Sequence, residues 1–292
     1  MQFEVRMKRI NPIAQTIAAA ALFTAVGTVS AATAFTWNYA TSSNTVNNRV
    51  TAWNPNTTGL ISANLHITNA TAWANTASTV SGGTEASYGQ ATKFQGQQLT
   101  DYGSGQLAVS TINYGAAAPL PLEGFPDHAM DNHGPEEMIL FTFDQAVQLN
   151  QLTLGFPSPG SCSPACGTDM TVLAYVGNAV GGPAIGSLDS TAAGLGSASN
   201  FKKFDFTANA AGTSTGFNTG AGAVSSKFWL VGAYNKWLGG VLSGDNDYVK
   251  LAALGGVTGT TGGGGGVPEP SSLALVGLGL IGGLRRWKTK KA

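Results

Sequence analysis

The densest group of side chains capable of chemistry lies between residues 127 and 137. Asp127, His128, Asp131, His133, Glu136 and Glu137 place six potential metal ligands in eleven residues. Zinc takes neutral imidazoles or thiolates at defined spacings, and His128 and His133, five apart, match no zinc pattern. Hard cations take carboxylate and carbonyl oxygens instead, and Asp245-Asn246-Asp247 near the end of the body supplies more of these. A structural calcium held by Asp131, Asn132, Asp245 and Asp247 is the cation site this pattern can build, provided the terminal strands pair; it would stabilise a fold and catalyse nothing. The spacing is not that of an EF-hand loop. The local sequence favours a turn whose Asp and Asn side chains bond the backbone, so no cofactor is expected.

Other chemistry is thinner. The chain has no Gly-x-Ser-x-Gly, His-Glu-x-x-His or Gly-x-x-x-x-Gly-Lys, and three histidines leave little room for acid and base work. Glycosidase carboxylate pairs follow no short motif, so a secreted glycan-active enzyme stands as the least favoured of three readings. Trp37, Tyr39, Trp53, Trp73, Tyr88 and Tyr102 would offer a stacking platform for a sugar if they were exposed and coplanar; buried, they are core. Cys162 and Cys166 flank Ser163-Pro164-Ala165, and in an exported chain such a pair reads as a disulfide. Its small loop gives it less than the roughly 3 kcal/mol of a 15-residue closure. Its role would be to pin a hairpin tip.

The elements that must position these residues are strands. Glu137 to Phe143, Ala146 to Phe156, Met170 to Val176, Phe201 to Thr207, Phe228 to Tyr234 and Tyr248 to Leu254 are short apolar or alternating runs parted by Gly, Asn, Asp and Pro. Leu60 to Thr68 and Gln106 to Tyr114 read the same way. In the second run the alternation slips at Asn150-Gln151, which signals a tight turn or bulge. Thr51-Ala52-Trp53 recurs as Thr71-Ala72-Trp73, without a third copy, as coincidence or as two similar strands. The expected fold is all-β, a single jelly-roll-like β-sandwich over residues 32–257.

Composition agrees with an exported protein. Of 292 residues 43% are hydrophobic, 9% aromatic and only 10% charged, with 40 glycines and 12 prolines; a cytosolic domain carries about 25% charged residues. The formal charge of zero conceals a polarity: residues 32–266 hold seven basic and thirteen acidic groups, net −6, between two basic ends. An acidic body excludes nucleic acid as its partner.

The first end reads as a signal peptide, residues 1–31. Arg6, Lys8 and Arg9 precede an apolar run from Ile17 to Val29, and the small residues Val29-Ser30-Ala31 and Ala32-Thr33-Ala34 offer cleavage sites, Ala31 being the expected one. At the other end a Gly-rich linker, 258–266, leads to Val267-Pro268-Glu269-Pro270, then an apolar run from Leu273 to Leu284, then Arg285-Arg286-Trp287-Lys288. Pro268 and Pro270 prevent helix on their side, and Ser271 or Ser272 caps the helix beyond them. Twelve apolar residues make about 18 Å of helix, short of the roughly 20 residues that span a bilayer. Arg285, Arg286 and Lys288 form a stop-transfer cluster that stays cytoplasmic.

Residues 267–292 resemble the PEP-CTERM sorting signal of Gram-negative bacteria in full: motif, short helix, basic end. The resemblance implies an exosortase as partner, cutting near the motif, with transient hold on the inner membrane through the C-terminal helix and delivery to the cell surface or extracellular matrix. The body, through Asp127-His128-Ala129-Met130-Asp131-Asn132 and later patches such as Asn246-Asp247-Tyr248-Val249-Lys250-Leu251, resembles exosortase-dependent surface proteins that share an HA-x-DN segment. That likeness implies no catalytic site. The expected function is a non-catalytic surface or biofilm-matrix structural protein, with an exopolysaccharide-binding module as the alternative.

Overall fold

The computed structural model describes residues 32–39, 52–53, 65–76, 93–101, 106–110, 129–132, 135–157, 167–191, 193–197, 199–240, 242 and 247–258. They all fall within one compact unit, Ala32–Gly263. Twelve strands run through them: β1 Thr33–Asn38, β2 Ala52–Trp53, β3 Ile67–Ala74, β4 Gln95–Asp101, β5 Leu107–Ser110, β6 Met130–Asp131, β7 Glu137–Phe156, β8 Asp169–Tyr175, β9 Phe201–Thr207, β10 Ser214–Gly216, β11 Ser226–Ala233 and β12 Tyr248–Thr258. Helix among the described residues is limited to two 3-10 turns, Ile185–Ser187 and Lys236–Leu238. The all-β class expected from the sequence is the class observed.

The pairing order is β1-β12-β5-β4-β3-β7-β11-β8-β9, all antiparallel, and β7 pairs with β12 as well. The circuit β12-β5-β4-β3-β7 therefore returns to its start. What closes it is the bend in β7. Thr142 faces Phe228 and Val147 faces Ser226, so one residue of β11 stands against four of β7. The two sequence runs expected as separate strands are thus one 20-residue strand folded at Asp144–Ala146. Its two ends meet again at the start of β12, since Phe156 pairs with Lys250 while the Glu137 carboxylate accepts from Asp131 N, the partner of Tyr248.

The slip at Asn150-Gln151 is a bulge: Leu149 faces Gly256 and Gln151 faces Gly255, leaving Asn150 unmatched. Gly256 is required there, because a Cβ would collide with the Gln148 carbonyl and press on the Phe35 ring. Facing layers meet through aromatic rings, Phe35 lying 6.2 Å from Phe143 and Trp37 5.8 Å from Phe141.

The apolar runs are continuous where a strand is buried on both faces. In β8, Met170, Val172 and Ala174 point into the main core, while Leu173 joins a second cluster with Phe94, Met138, Ile185, Leu195, Phe201 and Leu230. Where the expectation from Leu60 to Thr68 differs, the strand begins at Ile67 and runs on to Ala74. Its buried positions are Ile67, Ala70, Ala72 and Ala74, and alanine gives a weak period-2 signal. Residues 60–64 lie outside the described residues. The repeated triplets turn out to be neighbours: Ala52 pairs with Thr71 and Trp53 with Ala70.

Candidate functional site

Six strands bring polar residues to one end of the body, because their antiparallel registers align their ends. Tyr248 faces Asp131, Asp169 faces Thr207, Met170 faces Ala233 and Met138 faces Gly232. The side chains at or next to these ends then meet. Asp247 Oδ2 accepts from Asn132 Nδ2 at 2.8 Å and Asp247 Oδ1 accepts from Asp169 N at 2.9 Å. Asp247 N donates back to Asn132 Oδ1 at 3.0 Å, and Asn132 Nδ2 also reaches Tyr234 O at 2.9 Å.

A second arm continues from β9. Thr207 Oγ1 donates to Asp169 Oδ1 at 2.5 Å, and Thr171 Oγ1 donates to Asp205 Oδ1 at 2.9 Å while accepting from Asn235 N. Lys203 Nζ lies 2.5 Å from Asp205 Oδ2 and donates to the carbonyls of Leu238 and Gly239, closing the second 3-10 turn over the sheet. Tyr234, 2% exposed, sits among these acids. Burial of the phenol, then the charges of Asp205, Asp169, Glu136 and Asp247, push its pKa above the ordinary tyrosine value. The donors aimed at Asp247 and Asp205 are amides, hydroxyls and an ammonium, and these charge-assisted bonds tie strands together.

The sequence-derived site residues divide accordingly. Asn132 and Asp247 are in contact, and Asp131 is bonded through its backbone to Glu137. Asp245, the fourth member of the calcium set, lies outside the described residues. So do Asp127, His128 and His133, the cysteines Cys162 and Cys166, the cleavage residue Ala31, the motif Val267, Pro268, Glu269 and Pro270, and the basic residues Arg285, Arg286 and Lys288. Among the described residues no three His, Cys, Asp or Glu side chains are grouped to hold a metal ion. Of the aromatic set, Trp37 and Tyr39 are buried, and Trp73 is half-buried with Nε1 bonded to Thr71 Oγ1 at 2.8 Å. Nothing is described of the Trp53 side chain, and Tyr88 and Tyr102 lie outside the described residues.

One pair escapes a reading of the sequence. His66 Nδ1 lies 2.8 Å from Asp144 Oδ2, and His66 N donates to Asp144 Oδ1 at 3.1 Å, pinning β3 to the bend of β7. Seventy-eight residues separate the two, so no local pattern announces them.

The decisive comparison concerns the far end of the chain, where a family model for the PEP-CTERM protein-sorting motif matches residues 266–288. The chain carries a PEP-CTERM sorting motif. The motif marks an exported protein that an exosortase processes for the cell surface. The match is confined to the tail and does not extend to the HA-x-DN segment of the body. Neither a curated protein nor a solved structure matches the chain. Among the described residues no helix is long and apolar enough to cross a membrane.

Proposed function

We propose that this is a non-catalytic structural protein of the cell surface or extracellular matrix, held briefly at the inner membrane by its C-terminal helix until an exosortase acts near Val267-Pro268-Glu269-Pro270. The observation that carries the reading is the sorting motif at residues 266–288. Asp247 and Asp205 each have both carboxylate oxygens engaged by partners from other strands or turns. A catalytic acid or base needs a free face toward substrate.

The burial of Trp37 and Tyr39 and the partial burial of Trp73 support structure over sugar stacking. Binding of an exopolysaccharide by the body is the second reading. It rests on the aromatic residues Trp53, Tyr88 and Tyr102, whose side chains are not among those described.

Intact mass of the protein from producing cells, with and without the exosortase, tests the first reading. Loss of residues 1–31 and of the tail, with a two-dalton deficit for a Cys162–Cys166 disulfide, is expected when the exosortase is present. Deletion of residues 267–292 should release a folded body to the periplasm or medium. Continued exosortase-dependent surface retention of that truncation would overturn the assignment, and saturable binding of isolated exopolysaccharide would replace the structural reading with the binding one.

A further inference from the structure

The rim opposite the carboxylate network is where the described chain begins and ends. Thr33 pairs with Thr258, Thr258 with Val147, and Val147 with Ser226, whose Oγ donates to Tyr175 O at 2.6 Å. Three of those steps separate Thr258 from Tyr175, about 14 Å at roughly 4.8 Å per strand spacing. Eight residues, 259–266, then lead to the sorting motif; eight residues can reach at most about 28 Å. The loop after Tyr175 thus starts within the tail's own reach of the point where the chain leaves the body.

That loop carries an anomaly. Val180 is 101% exposed and Val176 39%, and they are the two exposed large hydrophobic residues among those described. Single exposed apolar residues are ordinary; here both stand in one loop on the rim from which a membrane-directed tail departs. The loop is built to hold Val180 out. Ala179 N donates to the Tyr175 hydroxyl at 3.3 Å, Gly182 N donates to Ala179 O at 3.0 Å, and Gly182 adopts φ +84° against the Phe228 ring, a place where a Cβ would clash. The ring is thereby covered by backbone and cannot receive the valine. Two exposed lysines share the rim: Lys227, next to Ser226, and Lys202, opposite Ala174. The nearby acid at the bend, Asp144, is engaged by His66.

We propose that the Val176–Pro183 loop is a lipid-contact finger: Val180 enters the headgroup boundary of an anionic bilayer while Lys202 and Lys227 face its phosphates. An apolar tip flanked by cations is the chemistry that an interface of this kind recognises. The inference rests on the reading that the tail holds this rim at a membrane, and it adds a second, weaker contact that orients the body with its carboxylate end outward.

The test uses the full chain, floated with phosphatidylethanolamine vesicles containing phosphatidylglycerol, with hydrogen exchange measured at the 177–181 amides. Attachment should slow their exchange by about tenfold, because local opening of a loop covered by lipid is disfavoured. Val180→Asp, a change at a solvent-exposed position, should abolish the slowing while the chain still floats. The loop at residues 209–213, near the other end, should exchange equally in both states. A floating chain with unprotected 177–181 amides would overturn the finger and leave the sorting reading intact. A chain that does not float would count against the membrane-held tail itself. Protection in native membranes but not in pure lipid would overturn the lipid assignment in favour of a protein at the same site.

Discussion

The two ends of the body are held by different physics. At the chain-end rim, β1 and β12 meet through a regular ladder from Thr33–Thr258 to Asn38–Ala253, and specificity comes from Phe35 and Trp37 plugging the core. At the other end the ladders reach the strand ends and side-chain bonds from Asn132, Asp247, Asp169 and Asp205 are added to them. Backbone pairing with apolar plugs tolerates substitution on its outer face, where Thr33, Ala34, Thr36 and Asn38 are exposed. A buried network of charges tolerates little, because removing one member strands the others without a partner.

Phe35→Ala sharpens this contrast most. It removes a ring that touches both Phe143 and the backbone at Gly256, and buried Phe→Ala changes cost about 3–5 kcal/mol; urea unfolding of the full chain should register the loss. Asp247→Ala comes next at about 3 kcal/mol, the penalty expected when a buried charged partner is taken from Asn132 and the Asp169 amide. A cost near zero for Asp247→Ala, by the same measurement, would break the comparison.

The smallest effect belongs to Tyr234. Its pKa is raised in the folded state, so the unfolded chain loses that proton first, near pH 10. The stability due to the neutral phenol is complete below that pH and declines as pH rises toward and through the folded value. Tyr234→Phe should therefore flatten part of the alkaline loss above about pH 10, read as the difference between the two unfolding curves at pH 9 and pH 11. Parallel curves for both proteins would remove Tyr234 from the network's electrostatics.

Legibility from sequence follows the same division. The runs of β8, β11 and β12 stand out because most positions on both faces of these strands are buried, and β9 stands out by Phe201, Phe204 and Phe206 in a run of seven. β4 does not, since its buried positions include Gln97, whose amide is satisfied by Thr76 Oγ1 at 2.9 Å; a polar side chain in the core leaves no hydrophobic period. β1 escapes notice for a different reason, its alternating Phe35 and Trp37 lying in a strand of only six residues. Asp131-Asn132 and Asp247 can be connected in advance because pairing of late strands suggests it. Asp169, Asp205 and Tyr234 cannot, as each is a single polar residue in or beside a strand with nothing in its neighbours to mark a destination. The bend in β7 hides behind two runs that each look complete.

The pairing of the first strand with the last also sets a clock. Thr258 Oγ1 donates to Thr33 O across 225 residues of chain, so β1 has no ladder partner until β12 exists. At synthesis rates of roughly 5–20 residues per second, β1 waits on the order of 10–45 s. Through that interval Phe35 and Trp37 lack the ladder that places them in the core. Only eight residues, 259–266, separate the strand that completes this pairing from Val267, so the last strand of the body and the sorting motif are synthesised almost together.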